Sequence, residues 1–331
     1  MSKIQIIGGS GFIGSYLIKQ LTPYYSVVNY DKANSSCFPS ITNIIDIREK
    51  EAMMEKLQPS EWMILLAAEH RDDIYPSSLY YDVNVQGTKN VLDVMGRKKI
   101  EKIIFTSTVA VYGLNKKNPD ECSEVDPFND YGKSKWQAEE TLRKWYEEDP
   151  DKRTLIIIRP TVVFGPGNKG NVYNLLTQIA SGKFFMIGKG TNKKSMAYVE
   201  NVAGFIKYCI DKNFSGYHIF NYVDKPDLSM KGLLFIVEES LQKKLPPVKI
   251  PYLFGYAGGL CFDVLSFFTK KKYAINSIRI KKFCAITQFS SDKMLEVGYK
   301  PPYTLKEGLH KTLESLEKKN KQAIFEINHS S

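Results

Sequence analysis

The stretch Lys3–Leu21, KIQIIGGSGFIGSYLIKQL, reads as a buried strand, a glycine turn and a helix in direct succession. Residues 3–7 form a short apolar run, and Ile13, Leu17, Ile18 and Leu21 fall on one side of a helix. Between them, Gly8 allows a tight turn, Gly11 lets backbone approach a pyrophosphate at the helix amino end, and Gly14 permits close helix packing. Phe12 and Ile13 lie in the same turn and are expected beside the bound dinucleotide. Asp31 ends the next strand-like run, 23 positions after Gly8, where a carboxylate can bind both hydroxyls of an adenosine ribose. It would repel the 2′-phosphate of NADP, so the turn predicts NAD, with Lys32 working against that preference. Asp46 and Ile47 close a third short strand and are expected at the adenine edge, a plain capping role for Asp46 being the alternative.

The alternation of strand-like and helical segments continues along the chain. YYSVVNYD, NIIDI, EWMILLAA, KIIFTSTVAVYG and TLIIIRPTVVFG read as strands, and REKEAMMEKLQ, SLYYDVNVQGTKNVLDVMGR and YGKSKWQAEETLRKWYEE as helices. Strands without polar alternation, spaced by amphipathic helices, predict an α/β fold with a doubly wound parallel (Rossmann) sheet. Residues 1–165 and 198–223 are expected to form that domain. After Gly165-Pro166-Gly167 the pattern loosens, and residues 166–197 and 224–318 are expected to form a smaller discontinuous lobe over the carboxyl edge of the sheet, where such sheets bind ligands. Residues 319–331 read as a disordered tail.

The 331 residues are 43% apolar, ample for a sizeable core. A formal charge of +10 comes from 46 basic against 36 acidic residues, and the basic ones are almost all lysine, 39 against 7 arginines, spread along the chain. Without an arginine-rich run or an aromatic-interleaved basic stripe, this reads as a solvated surface, and no nucleic-acid partner is expected. Five scattered cysteines with no Cys-x-x-Cys pair indicate reduced thiols and no metal site. The amino terminus enters a strand at once, without a signal-peptide pattern, giving a cytoplasmic expectation. One segment stands apart: PYLFGYAGGLCFDVLSFF, residues 251–268, is apolar except for Asp263 and runs into Lys270–Lys272. Its length, proline, glycines and aspartate argue against a membrane span. It reads as a helix covering a substrate cleft, or as a weak peripheral membrane contact through residues 251–272.

FNDYGKSKWQAEE, residues 128–140, places Tyr131 four positions before Lys135. The spacing alone carries little, because 20 tyrosines and 39 lysines also produce it at Tyr112/Lys116 and Tyr208/Lys212. Context separates them. Tyr131 opens a helix after a turn-rich loop, with Lys135 one turn on along the same face, whereas Tyr112 ends a strand and Tyr208 lies on a late helix. A phenol with a pKa of about 10 is a poor base at neutral pH. A lysine ammonium and a cationic nicotinamide ring favour its phenolate, giving a base matched to an alcohol. A serine or threonine on the neighbouring TSTVAVYG strand would hold the same substrate oxygen.

Taken in order, Gly8-x-x-Gly11-x-x-Gly14, Asp31, Asp46, Leu66-Ala67-Ala68, Thr106-Ser107-Thr108 running to Val111-Tyr112-Gly113, Tyr131-x-x-x-Lys135, Arg159-Pro160-Thr161 and Tyr198-Val199-Glu200-Asn201-Val202-Ala203 resemble the extended short-chain dehydrogenases, specifically the nucleotide-sugar epimerase/dehydratase group. The resemblance covers about residues 3–315. It implies that Tyr131 is the general base, that Lys135 lowers its pKa and holds the nicotinamide ribose, and that Thr108 is the hydroxyl partner, with Ser107 as a substitute. It also implies that Leu66, Ala67 and Ala68 line the cofactor. Two departures matter. Sugar 4,6-dehydratases follow the strand threonine with Asp-Glu, whereas Val109 and Ala110 stand here, and galactose-type epimerases place Asn where Val162 stands.

These readings imply NAD-dependent hydride transfer at carbon 4 of a nucleotide-activated sugar, with a nucleotide-sugar 4-epimerase first and a 4-keto-sugar reductase as the alternative. A membrane-docked steroid or lipid alcohol dehydrogenase and a non-catalytic NAD-sensing protein are further alternatives. Lys193 and Arg279, with the GLNKK stretch at 113–117, are candidates for the substrate diphosphate, and His70 for a place in the cleft. The resemblance further implies polysaccharide precursor synthesis and a homodimer paired through helices near 80–97 and 131–147.

Overall fold

In the computed structural model, residues 1–331 are described except for 72, 73, 115, 169, 183, 245–248, 270, 272, 274, 275, 330 and 331, and side chains from 319 onward. Lys270 and Lys272 of the basic run, and the side chains of the tail expected at 319–331, thus lie outside the described residues. The chain divides into two compact units, Met1–Val163 with Ala197–Asp224 and Phe289–Tyr303, and Phe164–Met196 with Lys225–Gln288 and Thr304–Ser331.

The first unit is built on seven parallel strands. β1 (Lys3–Ile7), β2 (Ser26–Asp31), β3 (Thr42–Ile44), β4 (Trp62–Leu65), β5 (Lys102–Thr106) and β6 (Thr154–Pro160) are joined by a last strand, Tyr217–Tyr222, beside β6. The spatial order is Tyr217–Tyr222, β6, β5, β4, β1, β2, β3, and every pairing is parallel. Order reverses beside β1, which makes its carboxyl end the switch point of the sheet. Because both faces are covered, strand residues are apolar in succession: Ile103, Ile104, Ile156, Ile157 and Ile158 are fully buried. On one face Leu17 and Ile18 of α1 (Phe12–Leu21) pack with Val202 and Phe205 of the helix Val199–Asp211. On the other, α2 (Lys50–Lys56), α4 (Gly87–Lys98) and α5 (Asp130–Glu147) contribute Met53, Val91, Met95, Ala138 and Leu142. α3 (Ser78–Tyr81) enters α4 through a π-type turn, Asp82–Gln86.

Three local readings change. β5 stops at Thr106, and Val109–Tyr112 of the expected strand form a 3₁₀ turn that Thr108 caps by accepting from Ala110 N at 3.1 Å. The strand expected through Phe164 breaks at Thr161 into β6 and Val162–Phe164. Phe289–Tyr303, read as part of the smaller lobe, belongs to the sheet unit, where the Tyr299 hydroxyl donates to Asn201 O at 2.8 Å and Tyr208 to Val297 O at 2.6 Å.

The second unit holds the helices Asn171–Ala180, Met230–Leu241, Tyr252–Thr269, Ser277–Cys284 and Leu305–His329. A short parallel pair joins Met186–Ile187 to Lys249–Ile250, and Asp227 accepts from Ser195 Oγ at 2.6 Å and Gln288 Nε2 at 2.8 Å.

Candidate active site

The glycine turn lies at the carboxyl end of β1. Gly8 has φ +90°, and a Cβ there would stand 2.3 Å from Ala67 N, so only glycine lets the turn cross this close to the segment leaving β4. A Cβ on Gly14 would stand 2.5 Å from Gly9 Cα, which is the close helix packing read from the sequence. Gly11 is the amino cap of α1 and offers no side chain to its first-turn amides. Those amides and the positive end of the helix dipole suit a phosphate. Asp31 stands beside the turn, accepting from Ser10 N and Ala33 N, each at 3.0 Å.

Leu66 and Ala67 both donate their amides to Ile7 O, at 2.8 and 2.9 Å, which lays the start of 66–68 alongside the glycine turn. Asp46 is held in a fork by Arg48, Nε to Oδ1 at 3.0 Å and Nη2 to Oδ2 at 2.7 Å, and those bonds keep its carboxyl below the usual range. Ile47 is buried, and its carbonyl accepts from Asn90 Nδ2 at 3.1 Å.

The residues at this turn fit a dinucleotide. Besides a cradle that a Cβ would fill, the site contains a buried hydroxyl, Ser107 Oγ, with no hydrogen-bond partner among the described residues. Folding seldom leaves such a group without compensation, and Ser107 stands one residue past the carboxyl end of β5. The glycines separate folding from binding in a simple test. Gly8→Ala is expected to destabilise the cofactor-free protein by about 1–3 kcal/mol, through a positive φ and a backbone clash. At Gly11 the added methyl meets only Gly8 O, at 3.3 Å. Gly11→Ala is therefore expected to melt like the wild type while retaining less NAD through gel filtration.

α5 begins at Asn129, whose side chain accepts from Gly132 N at 2.9 Å. A Cβ on Gly132 would lie 3.0 Å from Ala110 O, so the first turn of α5 packs directly on the Thr108-capped turn. This seats the amino end of α5, which carries the half-buried Tyr131, on the turn that follows Ser107 and Thr108. Lys135, one turn on, is buried, with Nζ 3.9 Å from the centre of the Phe105 ring at the end of β5. Burial pushes its pKa down to about 7, against the charge of Glu139, which raises it.

A lysine charged less readily in the folded protein than in the unfolded chain makes folding release protons. The resulting penalty is full below about pH 7, and it fades as pH rises through 7 towards the ordinary lysine value. Lys135→Met removes it. In cofactor-free protein the stability advantage of this variant over the wild type is expected to be largest below pH 7 and to shrink as pH rises, measurable by denaturant titration.

Behind Lys135 lies a buried network that the sequence did not reveal. Arg159 on β6 forks onto Glu139, Nε to Oε1 at 3.0 Å and Nη2 to Oε2 at 2.5 Å. Its Nη1 donates to Tyr112 Oη at 2.8 Å, and the Tyr112 hydroxyl donates to Asn221 Oδ1 at 2.8 Å. Burial works against the charge on Arg159, but the bond and charge of Glu139 hold it above its ordinary range. Burial also pushes Tyr112 up to about 12, so this tyrosine is a neutral strut. Its rival lysine, Lys116, is engaged with Glu124 at 3.1 Å.

Asn84, inside the π-type turn, is a second positioning residue missed in the sequence. It bonds Ser134 Oγ at 2.9 Å and Glu69 O at 3.0 Å while accepting from Glu69 N at 2.9 Å. It thus ties α5 to the loop after β4. A buried asparagine on an apolar helix face was the available signal.

The other sequence candidates fall as follows. His70 is exposed. Lys116 is paired as described, and Asn115 lies outside the described residues. Lys193 and Arg279 are exposed residues of the second unit, on the strand Lys193–Tyr198 and the helix Ser277–Cys284. Among the described residues no group of histidine, cysteine, aspartate and glutamate could hold a metal ion.

Comparison with known proteins shows the family. The sequence profile of the NAD dependent epimerase/dehydratase family matches residues 4–222. The N-acetyl-alpha-D-glucosaminyl-diphospho-ditrans,octacis-undecaprenol 4-epimerase of Escherichia coli O157:H7 is 56% identical over 311 residues, 94% of each chain. The UDP-glucose 4-epimerase of Vibrio cholerae is 26% identical over 96% of each chain. Among solved structures, the UDP-Glc/GlcNAc 4-epimerase of Campylobacter jejuni superposes with a TM-score of 0.75 at 18% identity, over 96% of this chain and 100% of the other. With a family profile spanning most of its length and a relative 56% identical over 94% of each chain, this chain is an enzyme of the NAD dependent epimerase/dehydratase family.

Proposed function

We propose that this enzyme is a 4-epimerase whose substrate is an N-acetylhexosamine carried on a diphosphate, with a polyprenyl lipid as the carrier. The observation that carries the reading is the Tyr131–Lys135 pair packed against the Thr108-capped turn. The relative that is 56% identical acts on a lipid-linked diphospho-sugar, as its name states, which favours a lipid over a nucleotide as the carrier. NAD, once held at the glycine turn, supplies the hydride acceptor and donor at carbon 4.

Tyr131 takes the proton from the carbon 4 hydroxyl and returns it after the keto sugar has presented its other face. The ammonium of Lys135 stabilises the phenolate and binds the nicotinamide ribose, while Ser107 and Thr108 hold the reacting oxygen. Asp31 binds the adenosine ribose, and Ala67 and Ala68 line the cofactor. Val109 and Ala110 carry no titratable group, so the turn offers no acid or base for dehydration at carbons 5 and 6. A nucleotide diphosphate as carrier is the second reading, favoured by the epimerases of the same fold that take UDP-sugars.

Purified protein is incubated in detergent with polyprenyl-diphospho-N-acetylglucosamine, and in parallel with UDP-N-acetylglucosamine, and the sugar released by mild acid is identified. Conversion of the lipid-linked sugar to the galacto epimer, faster than the nucleotide sugar, supports the reading. Conversion of the nucleotide sugar alone replaces the carrier, and conversion of neither overturns the assignment.

A further inference from the structure

The helix Tyr252–Thr269 is inverted relative to an ordinary surface helix. Its apolar side chains point outward, with Leu253 78%, Phe254 74%, Val264 57%, Phe267 81% and Phe268 76% exposed. At 100° per residue these positions fall on one arc of the helix. The opposite arc faces its own unit, where Phe262 meets the Tyr273 ring at 5.5 Å and the closest approaches are made by small and polar residues. A Cβ on Gly255 would stand 2.7 Å from Ile187 Cγ2, and one on Gly259 2.8 Å from both Ser277 N and Ile280 Cδ1. One further turn along, Asp263 accepts from Ser277 N at 3.2 Å. The helix is therefore seated closely at two glycines and an aspartate, a packing face that leaves Leu253, Phe254, Val264, Phe267 and Phe268 to whatever lies outside.

Charge says what that is. From Lys249 to Gln288 the sequence holds Lys249, Lys270, Lys271, Lys272, Arg279, Lys281 and Lys282 against the single acid Asp263, whose carboxylate is turned inward. An apolar strip within so basic a segment matches an anionic bilayer surface, where the rings enter the acyl boundary and the lysines meet headgroups. A second copy of the chain fits poorly, because a twofold contact through this strip would bring two such basic segments together.

We propose that this helix lies in the plane of an anionic membrane and docks the enzyme on it. The docking does not depend on the sugar chemistry. It does place the enzyme on the surface where a polyprenyl-linked sugar would be found.

The test is flotation of the full chain with vesicles of phosphatidylcholine alone or mixed with phosphatidylglycerol, with oligomeric state followed by light scattering. Wild-type protein is expected to float with the mixed vesicles and to be largely released by high salt. Phe254→Ser/Phe267→Ser/Phe268→Ser is expected to stay in solution with an unchanged melting temperature, since these side chains are exposed. Lys271→Gln/Lys282→Gln is expected to weaken binding by roughly fivefold per lysine removed. Wild-type protein that fails to float, a triple variant that floats as well as the wild type, or a wild-type dimer that the triple variant dissolves would each overturn the docking. Turnover of detergent-dispersed substrate is measured on the same samples, so loss of docking with turnover intact leaves the epimerase reading standing, and the converse leaves the docking standing.

Discussion

Tyr131→Phe is expected to lower the rate of sugar interconversion by about 10²–10⁴-fold, the usual contribution of a positioned acid–base group, while leaving NAD content and melting temperature close to wild type. The substitution keeps the aromatic ring, whose centre lies 6.4 Å from that of Tyr80, and removes only the hydroxyl. Nothing at the glycine turn or at Asp31 changes, so cofactor retention serves as the internal control. Loss confined to turnover, with substrate affinity retained, separates a proton-transfer role from a binding role. A variant keeping more than a tenth of wild-type turnover would place the base elsewhere, and Ser107→Ala and Thr108→Ala would then be the next variants to compare.

Glu139→Ala is expected to cost about 3–5 kcal/mol of stability, because it leaves the Arg159 guanidinium buried without its carboxylate. A loss of that size corresponds to a fall in melting temperature on the order of 10 °C for a domain of this class. Both side chains of the pair are almost wholly buried, at 2% and 0% exposure, so solvent cannot make up the deficit. The companion variant is the double change Glu139→Leu/Arg159→Met, which removes both charges and is expected to recover most of the loss. If the double variant is no more stable than Glu139→Ala, the cost comes from lost packing, and the electrostatic explanation fails. Glu139 also bears on function, since its charge raises the pKa of Lys135. The alkaline limb of the pH–rate profile is therefore expected to move to lower pH in Glu139→Gln.

The alternating elements of the sheet unit were legible because its strands are uniformly apolar and its helices keep their period, and the glycine turn was legible because its spacing encodes contacts within a few residues. The end of β5 was not. TSTVAVYG is rich in β-branched residues and reads as strand throughout, but Thr108 caps a turn there and α5 packs on it, so tertiary contact overrides local preference. Glu139 could have been noticed as an acid four residues after Lys135 on the inward face of α5, but its partner is 20 positions away on β6 and only the fold brings them together. The helix Tyr252–Thr269 was visible by composition, yet its orientation depends on Gly255, Gly259 and Asp263 meeting Ile187 and Ser277. The sequence reading placed Thr108 ahead of Ser107 as the hydroxyl partner. The structure leaves Ser107 with a buried hydroxyl that lacks a partner among the described residues, while Thr108 Oγ1 accepts from Ala110 N.

The measurement that bears most directly on carbon 4 chemistry uses polyprenyl-diphospho-N-acetylglucosamine carrying deuterium at carbon 4, incubated with the enzyme in ordinary water. The galacto product is expected to keep the deuterium at carbon 4, because the hydride removed there returns to the same carbon from a cofactor that never leaves the site. Product with ordinary hydrogen at carbon 4, or no change in configuration at that carbon, would contradict epimerisation by hydride removal and return.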